Sequence, residues 1–170
     1  MNLYDLKMKK RIIGLTKITL LLMMVMVNSC SKTANPVPYY SVDFTLDLTL
    51  PEYSSLQTPG NWLYISTGSN TKGVIICNSP TNTNSPNPFI ILDRTCTYNT
   101  TGYVTVNTKG TGVNVYATDS VCGSVFNIYN GAVQHSPATI PLKQYNSTLT
   151  GWSLHVYNWF HQEKASNFKN

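Results

Sequence analysis

The sequence predicts a small all-β domain, and three observations indicate this fold class. Beyond residue 30 the chain is poor in charged residues and rich in Thr, Asn, Ser, Tyr and Val, a composition that favours strands and turns. No segment there shows a long 3.6-residue hydrophobic period. Short apolar or alternating runs instead follow each other closely, separated by turn-forming residues, as is typical of a small antiparallel sandwich or barrel.

The first predicted strand is the clearest, because apolar and polar residues alternate from Val42 to Leu50 and Pro51 ends the run. Later runs predict further strands at 63–65, 73–77, 89–92, 104–106, 113–115, 125–129, 132–133 and 152–156. The dipeptide Asn130-Gly131 separates two of these runs and predicts a hairpin with a type I′ turn.

The first thirty residues have the parts of a bacterial export signal. A basic segment contains Lys7, Lys9, Lys10 and Arg11. The apolar run Ile18–Val27 follows, shorter than the ~20 residues that a membrane-spanning helix needs and typical of a signal peptide. Val27-Asn28-Ser29-Cys30 resembles a bacterial lipobox. The resemblance implies that residues 1–29 are removed and that a diacylglycerol is attached to Cys30.

A lipid on Cys30 would hold the chain to a membrane, since each buried methylene contributes ~0.8 kcal/mol. Ser31 follows where the lipoprotein family uses Asp for inner-membrane retention, which favours the outer membrane. We expect residues 30–41 to form a tether, residues 42–158 the domain and residues 159–170 a polar tail. An ordinary secretory signal that leaves Cys30 unmodified is the alternative.

The net charge of +5 belongs mainly to the export signal. From residue 30 onward the chain keeps seven of its 12 basic residues and six of its seven acidic residues, which makes the exported part almost neutral. A nucleic-acid-binding surface is therefore not predicted. The predicted partner is the membrane, together with a protein or ligand that the sequence does not identify.

Three segments of the predicted domain form a pattern: residues 92–98 (Leu-Asp-Arg-Thr-Cys-Thr-Tyr), 122–126 (Cys-Gly-Ser-Val-Phe) and 136–145 (Ser-Pro-Ala-Thr-Ile-Pro-Leu-Lys-Gln-Tyr). In this order they resemble the Rieske iron–sulfur domain, whose first box ends C-x-H and whose second box reads C-x-C-H-G-S. The resemblance spans roughly residues 60–158. It implies a sandwich of small stacked antiparallel sheets with the two boxes at one tip.

A Rieske centre holds one iron with two thiolates and the other with two imidazoles. In the positions that match these ligands, the chain has Cys96 and Tyr98 in the first box and Asp119 and Cys122 in the second. A phenol with a pKa near ~10 and a hard carboxylate suit an iron–sulfide cluster poorly. We therefore expect no cluster, no metal and no cofactor, and a non-catalytic binding or structural module.

Other uses of these residues stay open at this point. Cys96 and Cys122 could form a disulfide between the two loops, which an oxidising compartment permits; Cys77 would then be a buried free thiol. Zinc on Cys96, Asp119 and Cys122, with Tyr98 or water, lacks the closely paired ligands typical of structural sites. The alternative function is a Rieske-type [2Fe–2S] or other metal-binding electron-transfer protein.

The sequence favours a non-enzymatic role. Ser124 and Ser136 lie near the motif segments, but neither stands in a G-x-S-x-G elbow. A nucleophilic cysteine would need a histidine base. The three histidines, His135, His155 and His161, all fall outside both boxes.

Overall fold

The computed structural model describes residues 34–68, 71–82, 84–107 and 115–158. The predicted signal peptide, the lipidation site Cys30 and the polar tail 159–170 lie outside these ranges. All elements given below belong to the unit Asn35–Asn170. Among the described residues, no helix has the length and apolar character needed to cross a membrane.

The described residues form ten strands and one short 3₁₀-helix, η1 (Pro51–Gln57). In chain order the strands are β1 (Asp43–Asp47), β2 (Trp62–Ile65), β3 (Val74–Asn78), β4 (Phe89–Asp93), β5 (Val104–Asn107), β6 (Tyr116–Asp119), β7 (Val125–Asn127), β8 (Val133–His135), β9 (Gln144–Thr150) and β10 (Ser153–Tyr157). One sheet has the order β1-β10-β9-β4-β3-β2 and the other β5-β6-β7-β8. Every pairing is antiparallel, which confirms the predicted all-β class with antiparallel sheets.

Strand β3 lies between two apolar cores. Ile75 and Cys77 point into one core, whereas Val74 and Ile76 point into the other, as the two-residue period of a strand requires. All four side chains are buried. A strand covered on both faces reads as a continuous apolar run rather than an alternating one, and this explains the unbroken Val-Ile-Ile-Cys segment.

The core between the two sheets supports the region where the motif segments meet. It joins Leu92 of the larger sheet to Val104, Ala117 and Phe126 of the smaller one. Cys96 belongs to the same core and is 0% exposed. The first motif cysteine is therefore held by the packing of both sheets, not by a free loop.

Two predictions about local structure need correction. The first strand ends at Asp47, not Leu50, because the Asp47 carboxylate accepts hydrogen bonds from the amide and hydroxyl of Thr49 and starts a turn. The hairpin after β7 has no type I′ turn, because such a turn needs positive φ at both central residues. Among described residues only glycines have positive φ, here Gly131 at 72°.

Strand β9 was not predicted. Its residues are mostly polar, and only Tyr145 is fully buried along its length. The strand nevertheless pairs with both β10 and β4. Tyr145 and Leu149 face the second core, but Ser147 lies between them on the same face and interrupts the apolar alternation, so hydrophobic periodicity does not detect this strand.

The end of the predicted tether packs against the domain. Val37 is 6% exposed. The Tyr39 hydroxyl donates to Asn158 at 3.2 Å, and Lys143 donates to the Pro38 carbonyl at 3.3 Å. Residues 37–39 therefore contact the same body as the strands that follow them.

Candidate functional site

The fold brings three of the four ligand-matching residues together. Cys96 lies in the loop after β4, Asp119 ends β6, and Cys122 lies in the turn between β6 and β7. The two sulfur atoms are 3.5 Å apart. One ligand atom from each of the three residues lies within 4.8 Å of the other two, so the group is a compact donor cluster.

The turn between β6 and β7 places Cys122 opposite Cys96. The amide of Gly123 donates to the Asp119 carbonyl at 2.8 Å, and the amide of Val121 donates to Asp119 Oδ1 at 2.7 Å. Gly123 has φ +78°, a conformation that L side chains rarely adopt. The Gly-Ser pair after the cysteine thus serves the geometry of this turn.

Ser124 connects the cluster to the third motif segment, a role that sequence reasoning missed. Its side chain is 0% exposed. Its Oγ accepts a hydrogen bond from the Ala138 amide at 2.9 Å and another from the Cys122 thiol at 3.1 Å. The signal in the sequence was the serine two residues after the motif cysteine Cys122. Once such a hydroxyl is buried, it is almost always hydrogen-bonded.

The fourth ligand-matching residue, Tyr98, is not enclosed. Its side chain is 60% exposed, whereas Cys96 and Asp119 are fully buried. Two of the histidines lie in the described part of the chain and outside the cluster. His135 contacts the Ser136 carbonyl, and His155 pairs with Asp43 at 2.8 Å. His161 lies outside the described residues.

Burial keeps the Cys96 thiol protonated at neutral pH. Desolvation is the largest effect and raises the pKa of Cys96 to about 11. The backbone amides of Asn99 and Tyr98 oppose it, and smaller effects of Asp119 and Cys122 act in the same direction as burial. A thiol with this pKa is a poor nucleophile, so the site gives no support to cysteine-based catalysis.

One oxygen of Asp119 has no hydrogen-bond partner. Oδ1 accepts from the Val121 amide, but Oδ2 is buried and makes no hydrogen bond within the described residues. Gly102 covers this oxygen so closely that a Cβ at position 102 would collide with it. A buried acceptor left unpaired costs about 1–3 kcal/mol, and its presence beside two thiols calls for an explanation.

These residues do not fit a [2Fe–2S] cluster. Two sulfurs 3.5 Å apart are closer than two metal–sulfur bonds of ~2.3 Å laid end to end, which suits ligands of one metal atom. In the Rieske arrangement, however, Cys122 would have to bind the iron opposite that of Cys96. Asp119 offers a hard oxygen where a thiolate is needed, and the Tyr98 phenol faces solvent.

The remaining thiol lies elsewhere in the fold. Cys77 of β3 is 0% exposed and packs in the core between the sheets. Burial raises its pKa strongly. All three described cysteines are free thiols, and the disulfide between Cys96 and Cys122 stays a prediction.

No protein-family model and no curated protein matches this sequence. Among solved structures, the chain is similar to the ferredoxin of carbazole 1,9a-dioxygenase from Nocardioides aromaticivorans IC177, at 14% identity and a TM-score of 0.39, over 60% of this chain and 90% of that one. It is also similar to a Sphingomonas yanoikuyae B1 ferredoxin, at 19% identity and a TM-score of 0.37, over 59% of this chain and 88% of that one.

A third similar chain comes from the complex of reduced oxygenase and oxidised ferredoxin in carbazole 1,9a-dioxygenase. It is 18% identical with a TM-score of 0.39, and the match covers 58% of this chain and 90% of that one. At this identity and TM-score, the likeness says nothing about what the present chain binds.

Proposed function

We propose that the chain is an exported, lipid-anchored lipoprotein whose Rieske-like domain holds no [2Fe–2S] cluster and acts as a non-catalytic binding or structural module. The observation that carries the proposal is the donor cluster itself. Cys96 and Cys122 lie 3.5 Å apart beside Asp119, at positions where the family has ligands for two separate irons. Loss of the cluster removes the redox centre on which electron transfer would depend.

The surface around the cluster suits contact with another molecule better than it suits chemistry. Tyr98 is 60% exposed and Val121 is 68% exposed, and each lies within two residues of a motif cysteine. The chemically reactive groups beneath them are buried or half-buried. The almost neutral charge of the exported part argues for a protein or ligand partner and against nucleic acid.

The absence of a cluster is tested by measuring iron and acid-labile sulfide in the chain isolated without oxygen, together with its visible spectrum. We expect a colourless protein without stoichiometric iron or sulfide, before and after incubation with both. A matched variant carries Tyr98→His, Asp119→Cys and Cys122→His, which restores the family's ligand set around Cys96. We expect this variant to take up a cluster if the scaffold is Rieske-like.

Two irons and two sulfides in the unsubstituted chain would contradict the proposal. The protein would then be assigned to the alternative, an electron-transfer protein with an unusual ligand set. The restored variant shows whether a colourless result comes from the ligands or from the reconstitution procedure.

The anchor is tested by mass spectrometry of the mature amino terminus in a bacterial host. We expect the chain to begin at Cys30 and to carry the mass of a diacylglycerol. In a Cys30→Ser variant, the protein should leave the membrane fraction and appear without the lipid mass. An unmodified Cys30 in the isolated protein would refute lipid anchoring, although the domain assignment would stand.

A further inference from the structure

We propose that reduced Cys96, Cys122 and Asp119 together bind one Zn²⁺ ion, through two thiolates and one carboxylate oxygen. The inference rests on the proposed absence of an iron–sulfur cluster at the same place. It departs from the sequence-based expectation that the site holds no metal. The sequence motifs do not give the distances between the three donor side chains, and the structure does.

The spacing of the donor atoms matches a single tetrahedral ion. With metal–sulfur bonds of ~2.3 Å, two sulfurs at tetrahedral angles to one ion are ~3.8 Å apart. The observed separation between Sγ of Cys96 and Sγ of Cys122 is 3.5 Å. All three donor atoms lie within 4.8 Å of one another. The two sulfurs already have nearly the separation that one ion requires, and the carboxylate oxygen, up to 4.8 Å from a sulfur, would have to move closer by about an ångström to reach the ~3.5 Å expected between ligands of one tetrahedral ion.

The buried carboxylate of Asp119 is a second feature that favours a cation at this place. The residue is 0% exposed, and its Oδ2 makes no hydrogen bond within the described residues. Gly102 closes the space over the carboxylate. A buried carboxylate is normally hydrogen-bonded, paired with a charge or bound to a metal. A metal held by the two neighbouring sulfurs would give the Asp119 carboxylate such a partner.

The types of donor select zinc among common metals. Thiolates exclude magnesium and calcium, which prefer oxygen ligands. A buried carboxylate beside the thiolates disfavours Cu⁺, which prefers sulfur ligands. Zinc accepts both thiolate and carboxylate, and three protein ligands leave a fourth position for water or a partner's side chain.

Neighbouring groups are placed to support the ligands. Ser124 Oγ is 3.1 Å from Sγ of Cys122 and is held by the Ala138 amide. Once Cys122 loses its proton, the Ser124 hydroxyl can donate to the thiolate. Such hydrogen bonds orient and tune metal ligands.

On binding, Zn²⁺ replaces the two thiol protons, and no electrons are transferred. Two S–Zn bonds and one O–Zn bond form, two S–H bonds break, and both protons go to solvent. The disulfide between Cys96 and Cys122 is the competing state. Its formation removes two electrons and two protons to an external thiol-oxidising agent and leaves no thiolate for zinc. Zinc binding and disulfide formation therefore exclude each other.

The inference is tested by titrating the reduced, metal-free chain with Zn²⁺ in competition with a chromogenic chelator. We expect one zinc per chain and the release of two protons. Cys96→Ser and Cys122→Ser should each weaken binding by at least about 100-fold, and Asp119→Asn by about 10–100-fold, on the scale known for disturbed zinc sites. Cys77→Ala is the matched control, because it also removes a buried thiol and should keep full binding.

Each variant is checked by tryptophan fluorescence, and cobalt is used as a second probe. Co²⁺ in the unsubstituted chain should give thiolate-to-metal absorption that disappears in Cys122→Ser, whose position is only partly buried. Equal zinc affinity in the unsubstituted chain and the Cys96→Ser/Cys122→Ser double variant would overturn the inference. So would loss of binding in Cys77→Ala alone.

The outcomes also separate this inference from the proposed function. A chain with neither zinc affinity nor iron retains the proposed function and loses the zinc site. Stoichiometric iron with sulfide would overturn the proposed function, and the zinc site with it.

Discussion

Replacement of Phe126 by alanine is expected to lower the free energy of unfolding by about 3–5 kcal/mol. Phe126 lies in β7, is 0% exposed and is among the largest fully buried side chains. Its partner across the sheet is Ala117. A methyl group cannot fill the space that a lost phenyl ring leaves, so the cavity should persist and the cost should lie in the upper part of this range.

The loss is measured by urea denaturation at neutral pH, followed by tryptophan fluorescence. Val121→Ala is the control, because Val121 is 68% exposed and exposed substitutions usually change stability by less than about 0.5 kcal/mol. A native domain is stable by only about 5–15 kcal/mol, so the Phe126 variant should unfold at clearly lower urea. A loss below about 1 kcal/mol would mean that Phe126 does not join the two sheets.

The substitution should also disturb the donor cluster. Phe126 and Cys96 belong to the same core, so a cavity at position 126 changes the packing around Cys96. A change in the zinc affinity of the Phe126→Ala variant would therefore reflect altered core packing, so the zinc site is tested by substituting the ligands themselves.

The sequence predicted the fold class because the burial of each strand face determines the local pattern of apolar and polar residues. Alternation in β1 and the continuous apolar runs of β3 and β4 follow from how many faces of each strand are covered. Strand β9 shows no such pattern, because Ser147 interrupts the apolar alternation of Tyr145 and Leu149. Hydrophobic pattern reports side-chain burial, and it misses a strand whose core-facing side also carries a polar residue.

Three of the four residues that match the ligand positions come together in the structure, whereas Tyr98 stays exposed, and the sequence did not predict this geometry. The order of the motifs indicated that Cys96, Asp119 and Cys122 would lie at one tip. The separation of 3.5 Å between the sulfurs and the unpaired Asp119 oxygen depend on the packing of segments far apart in sequence. No local pattern encodes such distances, and for this reason the sequence could not choose between a disulfide, zinc and an empty pair of thiols.

Above about pH 8.5, the free energy of unfolding is expected to fall steadily as pH rises. Burial raises the pKa of the Cys77 thiol. Burial also raises the pKa of Tyr145, and its hydrogen bond to the Asp93 carboxylate adds to the shift. The corresponding groups of the unfolded chain lose their protons near pH ~8.5 for Cys and ~10 for Tyr. Between the unfolded and folded pKa values, the native state binds more protons.

The free energy of unfolding changes with pH in proportion to the number of protons bound by the unfolded state minus the number bound by the native state. This difference is negative here, so stability decreases as pH rises. Each group contributes about 1.4 kcal/mol per pH unit. The thiols of Cys77 and Cys96, whose pKa values burial raises, contribute first, and Tyr145 follows. The stabilisation is fully present below pH ~8.5. The dependence is measured by urea denaturation of the reduced, metal-free chain at several pH values between about 7 and 11, which gives the free energy of unfolding at each pH.

Cys77→Ala isolates the first group. The variant should be less stable at pH 7, because it leaves a small cavity in the core between the sheets. Between about pH 8.5 and 10, the free energy of unfolding of the variant should nevertheless fall less steeply than that of the unsubstituted chain. The difference between the two slopes should be about 1.4 kcal/mol per pH unit. Parallel curves for the variant and the unsubstituted chain would show that Cys77 is not the titrating group. A flat curve to pH ~10 would show that water reaches both thiols in the native state. The core between the sheets would then be looser than the burial of Cys77, Cys96 and Phe126 indicates.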